Sequence, residues 1–262
     1  MKIIQYDDLI NLITNKRVAI VGPADYINKE LTKEHGEYID NFDIVIRLNS
    51  MIKYPEEHNL DLSKYYGKKF NILASTFWYH NDDPILVKKN YNRFVNYNNY
   101  KDINENIILF ENINRNLFNH IYQNFKSSFD KHNNFYYCNI PNFVYNNEII
   151  KYLNNITTFK KTPTTGLLAI ISILLMKPSE LYVSGVSMYK DKKYNAYYDY
   201  YNEMPIEENK KLCNNSNFRF DGKNYKKSFE FGHNIDNEQI IMKHLICNNL
   251  INVDNYLKKL YI

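Results

Sequence analysis

VAIVGPADYINKELTKEHGEYIDNFDIVIRLN, residues 18–49, begins with an apolar run that stops at a glycine and ends with a second apolar run that stops at polar residues. Neither VAIVG (18–22) nor DIVIRLN (43–49) alternates apolar with polar side chains, so each reads as a strand buried on both faces. The stretch between them, through Leu31, is helix-like. A buried strand, a helix and another buried strand are the start of a mainly parallel sheet.

The same alternation continues along the chain. KKFNILAST (68–76), NIILFEN (106–112), NNFYYCNI (133–140), ELYVSGV (180–186) and INVDN (251–255) read as strands. NRNLFNHIYQNFKSSF (114–129), TTGLLAIISILLM (164–176) and IDNEQIIMKHLICNNL (235–250) read as helices. The expected fold class is therefore α/β: one Rossmann-like domain over residues 1–262, with helices on both faces of its sheet. The polar, tyrosine-rich segment 187–232 breaks the pattern and is expected to form a lid over a ligand. In such sheets ligands sit beyond the carboxyl ends of the strands. That rule singles out Gly22 to Asp25, Arg47 to Asn49, Ser75 to Thr76 and the segment after Gly185.

Composition removes several function classes. Hydrophobic residues are 44% of the 262, enough for a sizeable core, and the net charge is only +4. No basic stripe accompanies the 25 tyrosines, so no nucleic-acid partner is expected. Cys138, Cys213 and Cys247 are far apart and form no CxxC, which favours reduced thiols over a zinc site or a disulfide. MKIIQYDDLINLITNKR carries acidic residues within its apolar run and reads as an amphipathic helix, not a signal peptide. No run approaches the ~18 apolar residues of a membrane span. A cytoplasmic protein is expected, with contact at a membrane surface left open. An apolar face serves either the core or a homo-oligomer interface.

Four stretches carry chemistry. VGPAD (21–25) is a strand-to-helix turn whose backbone N–H groups can receive a phosphate at Gly22. It is neither GxGxxG nor a P-loop. In KTPTTGLLA (161–169), Thr164 and Thr165 can cap a helix and Gly166 admits a ligand to the backbone. A carboxylate or phosphate suits that helix mouth, and so does an ordinary N-cap. In SGVSMYKDKKYNAYYD (184–199), Tyr189 and Tyr194 can donate phenolic hydrogen bonds to a departing phosphate. In FGHNIDNEQ (231–239), Asp236 and Gln239 have capping-box spacing, with Glu238 in the first turn. His233 stands in the loop before it, with an ordinary pKa near ~6.5 suited to a general base. His244, on the helix, is expected to be structural. No DxD pair is present to hold a hard cation, so no metal and no cofactor are expected.

Taken in order, these stretches resemble the sialyltransferases, both the eukaryotic family with sialyl motifs and the bacterial CMP-sialic acid transferases. Residues 18–49 look like the long sialyl motif, ending in Asp-x-Val-x-Arg-x-Asn. TPTTGLLAIISILLMKPSELYVSGV (162–186) looks like the short motif, YNAYYD (194–199) sits where the third falls, and HNIDNE (233–238) matches the final His-x4-Glu. The resemblance implies a modified GT-A fold and a CMP-activated donor. It also implies metal-independent inversion onto a hydroxyl of a glycan or glycolipid acceptor. His233 falls on the general base and Asn49 on a nucleotide-contacting asparagine. Thr164, Thr165 and Gly166 fall on the donor-binding loop, and Tyr189 and Tyr194 on the phosphate tyrosines. Pro23-Ala24 departs from the Asn-Ser or Asn-Gly common in the first turn. A CMP-Kdo transferase and a non-catalytic nucleotide- or glycan-binding module share these motifs and remain open alternatives.

Overall fold

The computed structural model describes residues 2–48, 62–75, 106–111, 135–159, 162–191, 193–194 and 234–262. These form one sheet of eight strands: β1 (Lys2–Ile3), β2 (Arg17–Val21), β3 (Ile44–Leu48), β4 (Ile72–Ser75), β5 (Ile107–Glu111), β6 (Phe135–Asn139), β7 (Glu180–Ser184) and β8 (Asn252–Val253). Every pair is parallel, and the spatial order is β1-β6-β5-β4-β3-β2-β7-β8. The expected strands are all present; β2 lies one residue earlier than expected, and each of the others stops at least one residue inside an expected end. The two-residue edge strand β1 was not expected: it lies in the stretch read wholly as helix, and the helix begins only at Tyr6.

The helices are α1 (Tyr6–Ile13), α2 (Ile27–Glu30), α3 (His35–Asp40), α4 (Ser63–Tyr66), α5 (Ile150–Ile156), α6 (Thr165–Leu175), α7 (Ile235–Cys247) and α8 (Asn255–Tyr261). A π-helical turn, Val144–Ile149, leads into α5. Helix α1 is amphipathic, burying Tyr6, Leu9 and Ile13 at the spacing of one helical stripe. Helix α6 is apolar almost throughout, with Leu167 through Ile173 all buried. Each such aliphatic side chain removed from water contributes roughly 1.5–3 kcal/mol before entropy is subtracted. No helix among the described residues is long and apolar enough to cross a membrane.

Neighbouring strand residues point to opposite faces, and β3 shows what each face meets. Arg47 reaches α4, donating to the Tyr66 carbonyl at 2.5 Å and, from Nη2, to the Lys69 carbonyl at 2.8 Å. Leu48 points the other way, to within 3.7 Å of where a Cβ on Gly166 of α6 would lie. Helices therefore cover both faces, as the sequence predicts. The order reverses at β2: from there the chain builds outward through β3, β4, β5 and β6, then returns to place β7 on β2's other side. Such a reversal opens a crevice between the two strands at their carboxyl ends.

Two expectations about the last helices are corrected. Asp236 does not cap α7: Asn234 does, its side chain accepting from the Asn237 amide at 3.3 Å. Gln239 accordingly closes no capping box. The helix also stops at Cys247, short of 250, because Asn249 adopts a left-handed backbone (φ 53°). Helix α8 went unread in the sequence. It is started by Asp254, whose carboxylate accepts from the Leu257 amide at 2.8 Å.

Candidate functional site at the β2–β7 crevice

The crevice floor is two glycine turns in contact. A Cβ on Gly22 would come within 2.2 Å of the Gly185 carbonyl, and a Cβ on Gly185 within 2.2 Å of the Gly22 carbonyl. Gly185 also has φ 73°, which side chains disfavour. The amides of Gly22 and Ala24 donate to the Ser184 and Gly185 carbonyls at 2.8 and 3.1 Å, and Pro23 has none to give. The 22–24 turn thus spends its N–H groups on β7. Anion binding at Gly22 itself, expected from the sequence, competes with that pairing.

Side chains from three directions brace this floor. The Tyr26 hydroxyl accepts from the Gly185 amide and donates to Asp254, both at 2.7 Å. Ser184 donates to the same Asp254 oxygen at 2.7 Å. Tyr66 donates to the Ala24 carbonyl at 2.9 Å, and Tyr66 is in turn held through its own carbonyl by Arg47. Arg47 is 1% exposed. The arginine of the Asp-x-Val-x-Arg-x-Asn pattern is therefore a strut beneath the crevice.

Above the floor, the mouth of α6 faces the turn that follows β7. Thr164 caps α6, its hydroxyl accepting from the Leu167 amide at 3.4 Å. Its own amide and hydroxyl meet the two oxygens of Glu238 on α7, at 2.9 and 2.5 Å. Thr165 is the first helical residue. Gly166 packs so closely that a Cβ there would lie 2.9 Å from a Val186 methyl. Glu238 is fully buried, and burial raises its carboxyl pKa to about 8 against the hydrogen bonds from Thr164, which lower it. Burial thus favours its neutral form, which adds no negative charge to the helix mouth. The sequence shows Glu238 as a first-turn acid and as the end of the His-x4-Glu pattern; its burial depends on the packing of α7 against the loop before α6.

The turn after β7 is held in an uncommon conformation. Met188 and Tyr189 both have left-handed backbones, φ 48° and 54°. The Gln239 side chain donates to the Met188 carbonyl at 3.0 Å, and the Tyr261 hydroxyl to the Ser187 carbonyl at 2.9 Å. Met188 is thereby placed at the α6 mouth, its sulfur 3.8 Å from the Thr164 hydroxyl, and Tyr189 is the next residue along. Tyr194 is not directed there: its hydroxyl donates to Glu30 on α2 at 2.5 Å, where Lys193 also binds. It must release Glu30 before it can serve a phosphate.

The crevice therefore gathers Gly22, Thr164, Thr165 and Gly166 with Glu238, a residue not singled out as a site residue in the sequence; Tyr189 follows Met188 in the adjoining turn. His233 and Asn49 lie outside the described residues, as do most of the lid at 187–232, the third motif beyond Tyr194 and the helix expected at 114–129. Among the described residues no group of three or more His, Cys, Asp and Glu is placed to hold a metal ion. His244 Nδ1 lies 3.2 Å from the side-chain amide of Asn248, one turn on.

No family model matches the chain, and no curated protein matches it in sequence.

Proposed function

We propose that the protein is an inverting, metal-independent glycosyltransferase that takes a keto-sugar acid, sialic acid foremost, from a CMP-activated donor. The observation that carries the reading is the bond between Thr164 and Glu238. It joins the Thr-Thr-Gly of one motif to the glutamate of the His-x4-Glu pattern, at the carboxyl-end crevice where parallel sheets bind ligands. His233 is five residues before Glu238, immediately ahead of the α7 cap.

In this reading the anionic donor lies at the α6 mouth, where the first-turn N–H groups and the helix dipole favour negative charge. Neutral Glu238 holds the Thr164 amide and hydroxyl without repelling that charge. Tyr189 donates to the phosphate. His233 takes the proton of the acceptor hydroxyl as its oxygen bonds to the anomeric carbon. The bond from that carbon to the phosphate oxygen breaks, and CMP leaves with the electron pair.

The test is His233→Ala assayed for CMP binding and for transfer from CMP-sialic acid and CMP-Kdo. Retained binding with transfer reduced at least ~100-fold, the scale of general-base loss, supports the assignment. Transfer at the unmodified rate removes His233 from the reaction.

A further inference from the structure

A second concavity lies on the flank of the sheet, between the α2–α3 connection and the start of α8. Its volume is about 520 Å³, within the roughly 300–1,000 Å³ of small-ligand sites. Tyr182 and His35 line it and are almost fully buried. Tyr38 and Tyr256 add two more aromatic rings, and Glu30, Glu34 and Asn255 contribute polar groups.

At the buried end of this cavity lie His35 and Asp254, the carboxylate being taken up by Tyr26, Ser184 and the Leu257 amide. His35 Nδ1 lies 2.6 Å from the Tyr65 carbonyl and Nε2 3.0 Å from the Tyr182 hydroxyl. A carbonyl only accepts, so Nδ1 carries the proton and Nε2 accepts from Tyr182. Burial lowers the His35 pKa, which keeps this neutral form at pH 7. Glu30 is held ionised, chiefly by its bonds to Lys193 and Tyr194, and Glu34 by its bond to the Thr32 hydroxyl. Three carboxylates line the cavity, Glu30, Glu34 and Asp254, against the lining cation Lys259 and the Lys193 that pairs with Glu30; this excess of acidic groups disfavours a phosphate or a second anionic sugar. Tyrosine side chains beside hydroxyl-accepting carboxylates and an amide match a neutral pyranose. Its C–H faces lie on tyrosine rings, and its hydroxyls donate to carboxylates and accept from the amide.

We propose that this cavity binds a neutral sugar residue of a glycan. Its neighbourhood gives that binding a use. Tyr256 stacks on Tyr26 with centroids 4.5 Å apart, and Tyr26 holds the Gly185 amide of the crevice floor. Two stacked rings, Tyr256 and Tyr26, connect the cavity to the crevice floor, so the cavity would anchor the acceptor chain. That role rests on the glycosyltransferase reading, whereas sugar binding itself does not.

Saturation-transfer NMR on the full chain tests it, with the methyl β-glycosides of glucose, galactose, N-acetylglucosamine and N-acetylgalactosamine as probes. At least one is expected to bind, and Tyr38→Leu or Glu34→Ala to weaken it at least tenfold while thermal unfolding stays cooperative. CMP stabilisation of the same variants is measured in parallel and is expected to be unchanged. Absence of binding by all four glycosides, binding that survives both substitutions, or tetramethylammonium binding in their place overturns the cavity proposal. Glycoside binding lost in the variants, in a protein that CMP never stabilises, leaves the cavity standing and removes the transferase reading.

Discussion

Glu238 and Thr164 are 74 residues apart in sequence, and the carboxyl of the first meets both the amide and the hydroxyl of the second. This pair decides how the α6 mouth is presented, and its pH behaviour follows from the raised carboxyl pKa. Unfolded, Glu238 titrates at the ordinary 4.5; folded, burial moves it to about 8. Between those values the folded state binds the extra proton, so stability falls as pH rises. The slope for one proton is at most about 1.4 kcal/mol per pH unit. Below pH 4.5 and above pH 8 this group contributes no slope.

Glu238→Gln keeps one acceptor and one donor facing Thr164 but cannot titrate. Its stability relative to the unmodified protein is expected to rise from pH 5 to pH 8 and then level off. Urea unfolding across that range measures the difference. A constant difference between the two proteins shows that Glu238 does not change protonation in this window.

The glycine contacts predict an order of severity. Gly22→Ala and Gly185→Ala each drive a Cβ into main-chain atoms at 2.2 Å and are expected to cost at least about 1–3 kcal/mol. Gly166→Ala meets a Val186 methyl at 2.9 Å, a side chain free to adjust, and gains up to about 1 kcal/mol of helix propensity. Its net effect is expected to stay within about 1 kcal/mol, with weaker CMP binding as the larger consequence. Thermal unfolding of the three variants fixes the order.

Arg47→Lys replaces a guanidinium that serves two carbonyls with an ammonium that lacks its fork. The variant is expected to lose about 1.5–3 kcal/mol, the scale of a charged hydrogen bond. Tyr26→Phe leaves the buried Gly185 amide and Asp254 each short of a partner and is expected to cost about 1–3 kcal/mol. Both values are read from denaturant midpoints at unchanged m.

Much of this architecture is legible in the sequence because buried parallel strands are written as unbroken apolar runs. VAIVG and DIVIRLN each lie within a residue of their strands. The Thr164 cap was equally visible, since a threonine ahead of an apolar helix has few other uses. Long-range pairing hid the rest. Glu238 reads as a first-turn acid closing a His-x4-Glu pattern, with nothing to show Thr164 as its partner, and Gln239 looks like a capping-box partner until the Met188 carbonyl takes its amide. Arg47 ends an apolar run like a residue bound for solvent, yet α4 closes over it. Tyr194 is one of 25 tyrosines, and only the fold shows it on Glu30. Helix α8 follows a two-residue strand at the chain's end, where periodicity has too few residues to register.

The measurement that tests the central claim most directly is a thermal-shift comparison of CMP, UDP, GDP, ADP and NAD, each without metal and then with Mg²⁺. A ligand that binds only the native state raises the midpoint, by about 2.7 kcal/mol of stabilisation at 100 times its Kd. The account predicts that CMP alone stabilises the protein, that Mg²⁺ does not alter the shift, and that Gly166→Ala diminishes it. Stabilisation by UDP or NAD in place of CMP, or by none of the five, contradicts the CMP-dependent transferase.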